Sequence, residues 1–289
     1  MPRAFSVASW NVEHFRGNIA RVQRVASFIA GQATQDGGPA QAPEIFALFE
    51  VEGRDIFQEF MIRFPNYNFH ITEGKQLQEI FIGVREDIQF FSTQRLEFKT
   101  QREGLRPGLL LTVRIQQVYY PLLFLHTKSG DNPEDFGLRD AALNHAFNLK
   151  RTLDRLPNGP ANFIFMGDLN SMGIDDPVPF SRVLDFSQDD EITRLQDWAR
   201  RRNMIALDKP PTIINGVPRQ VTWFNGSNNF VPSNLDHVIA SNQMDIRSPG
   251  GGATPVALFG WPILPQNRWA SWFMEYSDHA MLYFEVWSP

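Results

Sequence analysis

The stretch Phe165-Met166-Gly167-Asp168-Leu169-Asn170-Ser171 restricts this chain more than any other. The apolar run Asn162 to Met166 that carries it reads as a buried strand. The run stops at a glycine, and an Asp and an Asn follow with one residue between them. At a strand end, side chains at i and i+2 point to the same side. One carboxylate and one carboxamide therefore share a space where a sheet runs out. Asp and Asn after Gly are also ordinary turn formers, so the pattern gains its weight from repetition. Trp10-Asn11-Val12-Glu13 closes a first strand, Glu50 a second, and Leu125-His126-Thr127-Lys128 a central one. Leu235-Asp236-His237 opens a later strand, and Ser277-Asp278-His279 stands just before the last. Together these polar ends outweigh the turn or cap reading of any one of them.

Between these ends, strands and helices alternate. Ala4 to Trp10 alternates as a strand, and Ile19 to Ile29 carries Ile19, Val22, Val25, Ala26 and Ile29 at helical spacing. Gln32 to Pro43 is a loop, Glu44 to Phe49 a strand, and Arg54 to Phe64 a second amphipathic helix. Tyr67 to Ile71, Ile80 to Arg85, Ile88 to Phe98 and Leu109 to Gln117 read as an antiparallel run with short turns. Tyr119 to Thr127 is an apolar strand, and Gly137 to Leu156 a long helix. Glu191 to Arg202 is helical, with Arg200 to Arg202 suited to the negative end of its dipole. Leu207 to Pro232 is loop-rich with a short strand near Val221 to Phe224, and Leu235 to Ala240 and Ala280 to Val286 are strands. With no linker and no fixed-period repeat, the expectation is a single α/β domain over 1–289 with two sheets.

Composition removes several function classes. The chain has no cysteine, which excludes disulfides and thiolate chemistry. With 43% hydrophobic and 20% charged residues it can bury a sizeable core. No apolar run approaches the roughly 20 residues of a membrane span. Met1-Pro2-Arg3 leads at once into strand-like sequence without a signal-peptide pattern, so a cytoplasmic protein is the simplest expectation, with a processed secreted form as the alternative. A monomer is expected. The formal charge of −5 argues against a surface built wholly for polyanions, though not against a local basic groove.

The ordered set Ser9-Trp10-Asn11-Val12-Glu13, Leu48-Phe49-Glu50-Val51, His126, Gly167-Asp168-Leu169-Asn170, Leu235-Asp236-His237 and Ser277-Asp278-His279 resembles the endonuclease/exonuclease/phosphatase superfamily. That group includes DNase I-like nucleases, abasic-site endonucleases, inositol polyphosphate 5-phosphatases and neutral sphingomyelinases. The resemblance runs from residue 9 to 279. It implies a four-layer α/β sandwich of two packed mixed β-sheets flanked by helices. There are departures: Phe49 stands where members usually carry Gln, and Glu13 where many carry Asp or another polar residue.

Phosphodiester cleavage needs an in-line nucleophile, charge relief on the non-bridging oxygens and help for the leaving group. Hard carboxylate oxygens suit Mg²⁺ or Mn²⁺. Glu50 is the first metal ligand expected, with Glu13 and either Asp278 or Asp168 beside it. By the resemblance, Asp168 orients or deprotonates the attacking water, Asn170 holds the water or the phosphate, and Asn11 hydrogen-bonds a phosphate oxygen. His279 and Asp236 are expected to pair, the carboxylate fixing the imidazole tautomer so that an imidazolium meets the phosphate charge. His126 is a second candidate for leaving-group protonation, with Lys128 on the same side and Arg106 gripping a substrate phosphate. His237 should face away, and His14, His70 and His145 are read as structural.

For substrate, a nuclease acting on DNA, or on RNA, would use Arg102, Arg106, Lys128, Arg151 and Arg200 to Arg202 as a phosphate track. The alternative is a phospholipid or inositol-phosphate phosphoesterase. Its support is the apolar, aromatic stretch Val256 to Pro265 with Trp269 to Phe273, which would touch lipid unless it packs on the core. A non-catalytic binding module is the third reading, and the full carboxylate, amide and imidazole set speaks against it.

Overall fold

The computed structural model describes residues 2–53, 55–74, 78–157, 159–175, 186–227 and 229–288. The first elements are β1 (Arg3–Phe15), α1 (Ile19–Ile29), β2 (Ile45–Val51), α2 (Asp55–Arg63), β3 (Tyr67–Ile71) and β4 (Glu79–Arg85). Then follow β5 (Gln89–Arg95), β6 (Gly108–Ile115), β7 (Val118–His126), α3 (Pro133–Leu153), β8 (Ile164–Asp168) and α4 (Gln188–Arg200). The last third holds β9 (Met204–Ala206), β10 (Thr212–Ile214), β11 (Val217–Arg219), β12 (Asp236–Ser241) and β13 (Asp245–Arg247). It ends with β14 (Ala257–Phe259), α5 (Trp269–Glu275) and β15 (Met281–Trp287).

The chain divides into two compact units: Met1–Gln89 with Asp208–Ser233 and Met244–Pro289, and Phe90–Leu207 with Asn234–Gln243. In the first, one sheet runs β13-β15-β1-β2-β4-β3 with β14 also on β15. β1 pairs parallel with β2 and antiparallel with β15, so the sheet is mixed. α1 supplies the crossover between the parallel pair, as parallel strands require. Its start is capped by Asn18, whose side chain accepts from Arg21 N, and it buries Val22, Val25, Ala26, Phe28 and Ile29. Ile19, expected on that face, is instead exposed.

The second unit repeats the scheme. Its sheet runs β5-β6-β7-β8-β12-β9, with β7 and β8 parallel and joined through α3. Its core gathers Leu123, Leu125, Leu143, Ala146, Phe147, Phe165, Leu195 and Ile239. Each unit is thus a mixed sheet with helices, built around one parallel pair, and the chain is α/β as expected.

Several boundaries moved for physical reasons. α3 begins before Gly137, because Asn132 caps it and Pro133 takes the first helical position, where no amide hydrogen is needed. α4 begins before Glu191, where Ser187 and Asp190 form a capping box. The expected strand Ile88 to Phe98 stops at Arg95 and turns into a 3-10 turn over Leu96–Lys99. The antiparallel run is broken: β3 and β4 belong to the first sheet, β5 and β6 to the second. Val221 to Phe224 contributes only isolated bridges, Trp223 to Ser233 and to His279. The helix expected from Arg54 starts at a residue outside those described, and its described part ends at Arg63.

The aromatic stretch is core. Trp261, Trp269 and Trp272 are buried, Trp261 and Trp269 meet edge to face at 4.9 Å, and Phe224 and Phe273 pack on them. Removing one such ring would cost about 3–5 kcal/mol.

Candidate active site

Both parallel pairs end in polar side chains, the place where open α/β sheets present ligand sites. In the first unit the pair is β1 and β2. Asn11 is buried; its Nδ2 donates to Glu50 Oε1 at 3.2 Å, and its Oδ1 accepts from Glu13 N at 3.0 Å. Glu50 Oε2 accepts from His14 N at 3.0 Å and from Gln78 Nε2 at 3.1 Å. The backbone here is unusual: Glu13, His14 and Glu50 have φ of 43°, 44° and 62°. Left-handed geometry at non-glycine residues without hairpin or helix-end duty is strain that the surrounding hydrogen bonds must hold.

Asp278 joins these carboxylates. Its Oδ2 accepts from Trp223 Nε1 at 2.6 Å, while Oδ1 is buried without a hydrogen-bond partner among the described residues. Burial first, then the charge on Asp278, push the Glu13 carboxyl above its ordinary range; Glu50 adds to this and Arg21 opposes it. Glu13, Glu50 and Asp278, the three expected metal ligands, therefore feel one another's charge. Carboxylate oxygens of this kind suit a divalent cation of the Mg²⁺ or Mn²⁺ class.

Arg21 and Ser277 fasten this end together. Arg21 Nη1 donates to Glu13 O at 2.9 Å and Nη2 to Val12 O at 2.6 Å, and Nε donates to Tyr276 O at 3.1 Å. Ser277 Oγ donates to Asn11 O at 2.7 Å and accepts from His279 N at 3.0 Å, so it is a bolt between β15 and β1. Trp10 Nε1 donates to His279 O, and the His279 ring is buried with Nε2 3.9 Å from Asp278 Oδ1. The carboxamide of Asn11, the residue expected to meet a phosphate oxygen, holds the Glu50 carboxylate and the Glu13 backbone.

In the second unit the pair is β7 and β8. Their register sets His126 beside Asp168, and β12 sets Asp236 beside Asp168 on the other side. Gly167, at φ 136°, lets β8 turn into this row. His126 Nε2 lies 3.5 Å from Asp168 Oδ2, both side chains buried, and Asp236 offers an oxygen within 4.8 Å of Asp168. Asp168 Oδ1 accepts from Asn170 N at 3.1 Å, and Asn170 Nδ2 donates to Thr127 O at 3.2 Å. Asn170 is left-handed at φ 48°, a conformation Asn tolerates better than most residues. His237 faces away as expected. Its Nε2 sits 3.0 Å from Asn234 O and 3.1 Å from Ser171 Oγ. A carbonyl so close requires that nitrogen to carry the proton, so the ring is no base for the serine.

The loops around Asp168 are held by a group the sequence reading passed over. Arg139 is fully buried; Nε and Nη2 fork onto Glu191 at 2.9 Å each. Nη1 donates to the carbonyls of Lys128 and Gly130, and Nη2 to Gly173 O at 3.0 Å. Glu191 Oε2 in turn accepts from Gly173 N at 2.7 Å. Gly130, at φ 119°, lies where a Cβ would run into the Asp135 carboxylate, so any side chain at that bend is strained. The bland cue was an arginine inside a helix with a glutamate three residues into the next.

Of the expected phosphate grips, Lys128 Nζ is matched by Asp135 Oδ1 at 3.1 Å, and Arg102 by Glu134. Arg106 is half-buried in the loop before β6. Arg200 is matched by Asp197. Gln78, not anticipated, supplies an amide to Glu50 although the position before Glu50 is Phe49.

A family model described as Endonuclease/Exonuclease/phosphatase family matches residues 8–279. The chain belongs to that family. It is accordingly a metal-dependent phosphoric ester hydrolase. No curated protein sequence matches it. Truncated TDP2 from Caenorhabditis elegans superposes with a TM-score of 0.62 at 17% identity, 98% of each chain being covered. TDP2 of D. rerio, complexed with a single strand DNA product, gives 0.62 at 17% identity, again over 98% of each chain. The 3' phosphatase NExo from Neisseria, bound to a product DNA hairpin, gives 0.60 at 14% identity over 99% of this chain and 100% of its own. These likenesses establish the DNase I-like fold. Among the described residues no helix is long and apolar enough to cross a membrane.

Proposed function

We propose that this chain, acting as one catalytic domain over 1–289, is a nuclease that hydrolyses phosphodiester bonds in DNA with Mg²⁺ or Mn²⁺. The observation that carries the reading is the carboxylate set Glu13, Glu50 and Asp278, in which Glu13 is raised by burial and by Asp278, and Asp278 Oδ1 is buried without a hydrogen-bond partner among the described residues. Those side chains would hold the cation, which when bound supplies charge relief to the phosphate oxygens. Asp168, its Oδ1 fixed by Asn170 N, accepts the proton of the attacking water through Oδ2. Asn170 keeps that carboxylate aimed. His126, beside Oδ2, serves the leaving oxygen; His279 meets the charge on the phosphate, and Asp236 orients an imidazole. Asn11, Gln78 and Trp223 act through the carboxylates they bind and are positioning residues.

DNA as substrate is supported by the two solved relatives bound to DNA products. The lipid reading rested on the aromatic stretch, whose tryptophans are buried in the first unit's core. Supercoiled plasmid incubated with Mg²⁺ or Mn²⁺ should become nicked, and EDTA should stop it. Intact plasmid together with headgroup release from sphingomyelin vesicles would reject DNA in favour of lipid.

A further inference from the structure

On the helical side of the second unit, α3 and α4 enclose a hollow of about 230 Å³ lined by Asn144, Phe147, Trp198, Arg201 and Arg202. The charges around it do not balance. Arg194 is matched by Asp140 at 2.8 Å and lies 4.4 Å over the Trp198 ring, and Arg200 is matched by Asp197 at 2.7 Å. Those ion pairs use the local carboxylates. No carboxylate among the described residues pairs with Arg201 or Arg202. Basic residues at a helix C-terminus are ordinary, since they favour its dipole. That accounts for the composition but not for Arg202 Nε, which is buried without a hydrogen-bond partner among the described residues. That nitrogen is itself closed off, so it is the charge of the Arg201 and Arg202 guanidiniums, offset by no carboxylate among the described residues, that leaves the hollow positive.

We propose that this hollow binds the phosphoryl group of an organic phosphate monoester. Two guanidiniums match a dianion better than a single carboxylate, and their planar forks suit phosphate oxygens. The Asn144 amide adds a neutral donor, and Phe147 and Trp198 give the carbon body an apolar wall. Free nucleotide and the phosphorylated end of a nucleic acid present the same chemistry.

The test follows the Trp198 indole N–H by NMR, assigned with Trp198→Phe, in EDTA so that no cation recruits phosphate elsewhere. Titration with dAMP should give a saturable shift, weakened about tenfold or more by Arg201→Gln with Arg202→Gln. Asn144→Asp, an exposed change that places a negative charge at the rim, should weaken it too. The ligand-free spectra of these variants should remain those of the folded protein. An oligonucleotide that shifts the signal only when 5'-phosphorylated would point to a strand end, whereas response to dAMP alone would point to free nucleotide. Absence of a saturable shift with dAMP and with both oligonucleotides, or an equal shift in the Arg variant, would overturn the site.

Discussion

The two units end their parallel pairs with the same kind of sequence, yet the ends differ in chemistry. In the first unit, acidic groups crowd: Glu13 and Glu50 sit on left-handed backbone with Asp278 close by, and Glu13 ionises with difficulty. In the second, Asp168 is buried within a tight net of hydrogen bonds from Asn170, Thr127 and the loops that Arg139 clamps. The first end gathers carboxylates whose charges act on one another; the second fixes one carboxylate by backbone and side-chain hydrogen bonds. A cation suits the former, while the latter suits aiming one carboxylate at one proton.

Substitutions can break that contrast. Asp168→Ala should give the largest functional loss, about 10²–10⁴ in nicking rate, with the melting temperature held. Turnover near wild type would remove Asp168 from the base role. Arg139→Met should act on stability instead, costing about 3–5 kcal/mol by stranding Glu191, read from urea unfolding. Adding Glu191→Met should restore much of that loss, since the stranded charge is gone. If the double variant were as unstable as the single one, packing rather than charge would be what Arg139 supplies.

Asn11→Ala should weaken Mg²⁺ binding about 10–100-fold by freeing Glu50 and Glu13 to turn, seen as a shifted metal titration at unchanged saturating rate. An unmoved titration would return Asn11 to the phosphate. The smallest effect concerns Glu13. Its folded pKa is raised, so it favours the fold when protonated and loses that contribution as pH rises through the folded value. In EDTA, Glu13→Gln should therefore melt above wild type at neutral pH, and the gap should close in acid. Mg²⁺ should reverse the order by stabilising wild type more. A gap that persists in acid would show that Glu13 is not the group responsible.

Much of this was legible from the chain. The strand-helix-strand alternation marked both parallel pairs, and period-2 logic set Asp168 and Asn170 at one strand end. The acidic residues Glu13, Glu50 and Asp278 stand at strand ends in the sequence, and Asp278 and Glu50 both act on the Glu13 carboxyl. What escaped notice were the fasteners: Arg21, Gln78, Arg139, Glu191 and Trp223. Each is ordinary by type and sits in a helix or loop, so nothing local separates it from a solvated side chain. Segment ends were misplaced where caps, not apolar spacing, set them, as at Asn132 and Ser187. The aromatic stretch could not be assigned to surface or core because burial depends on which element covers it.

By itself the sequence determined the element types, the polar strand ends and the family, because these rest on local periodicity and on residue chemistry at short spacing. Only the tertiary structure decided which oxygen of Asp278 has no hydrogen-bond partner among the described residues, that the Asn11 amide reaches Glu50, and that a buried arginine holds the loops beside Asp168. Those are matters of distance and desolvation between residues far apart along the chain, and no local pattern encodes them.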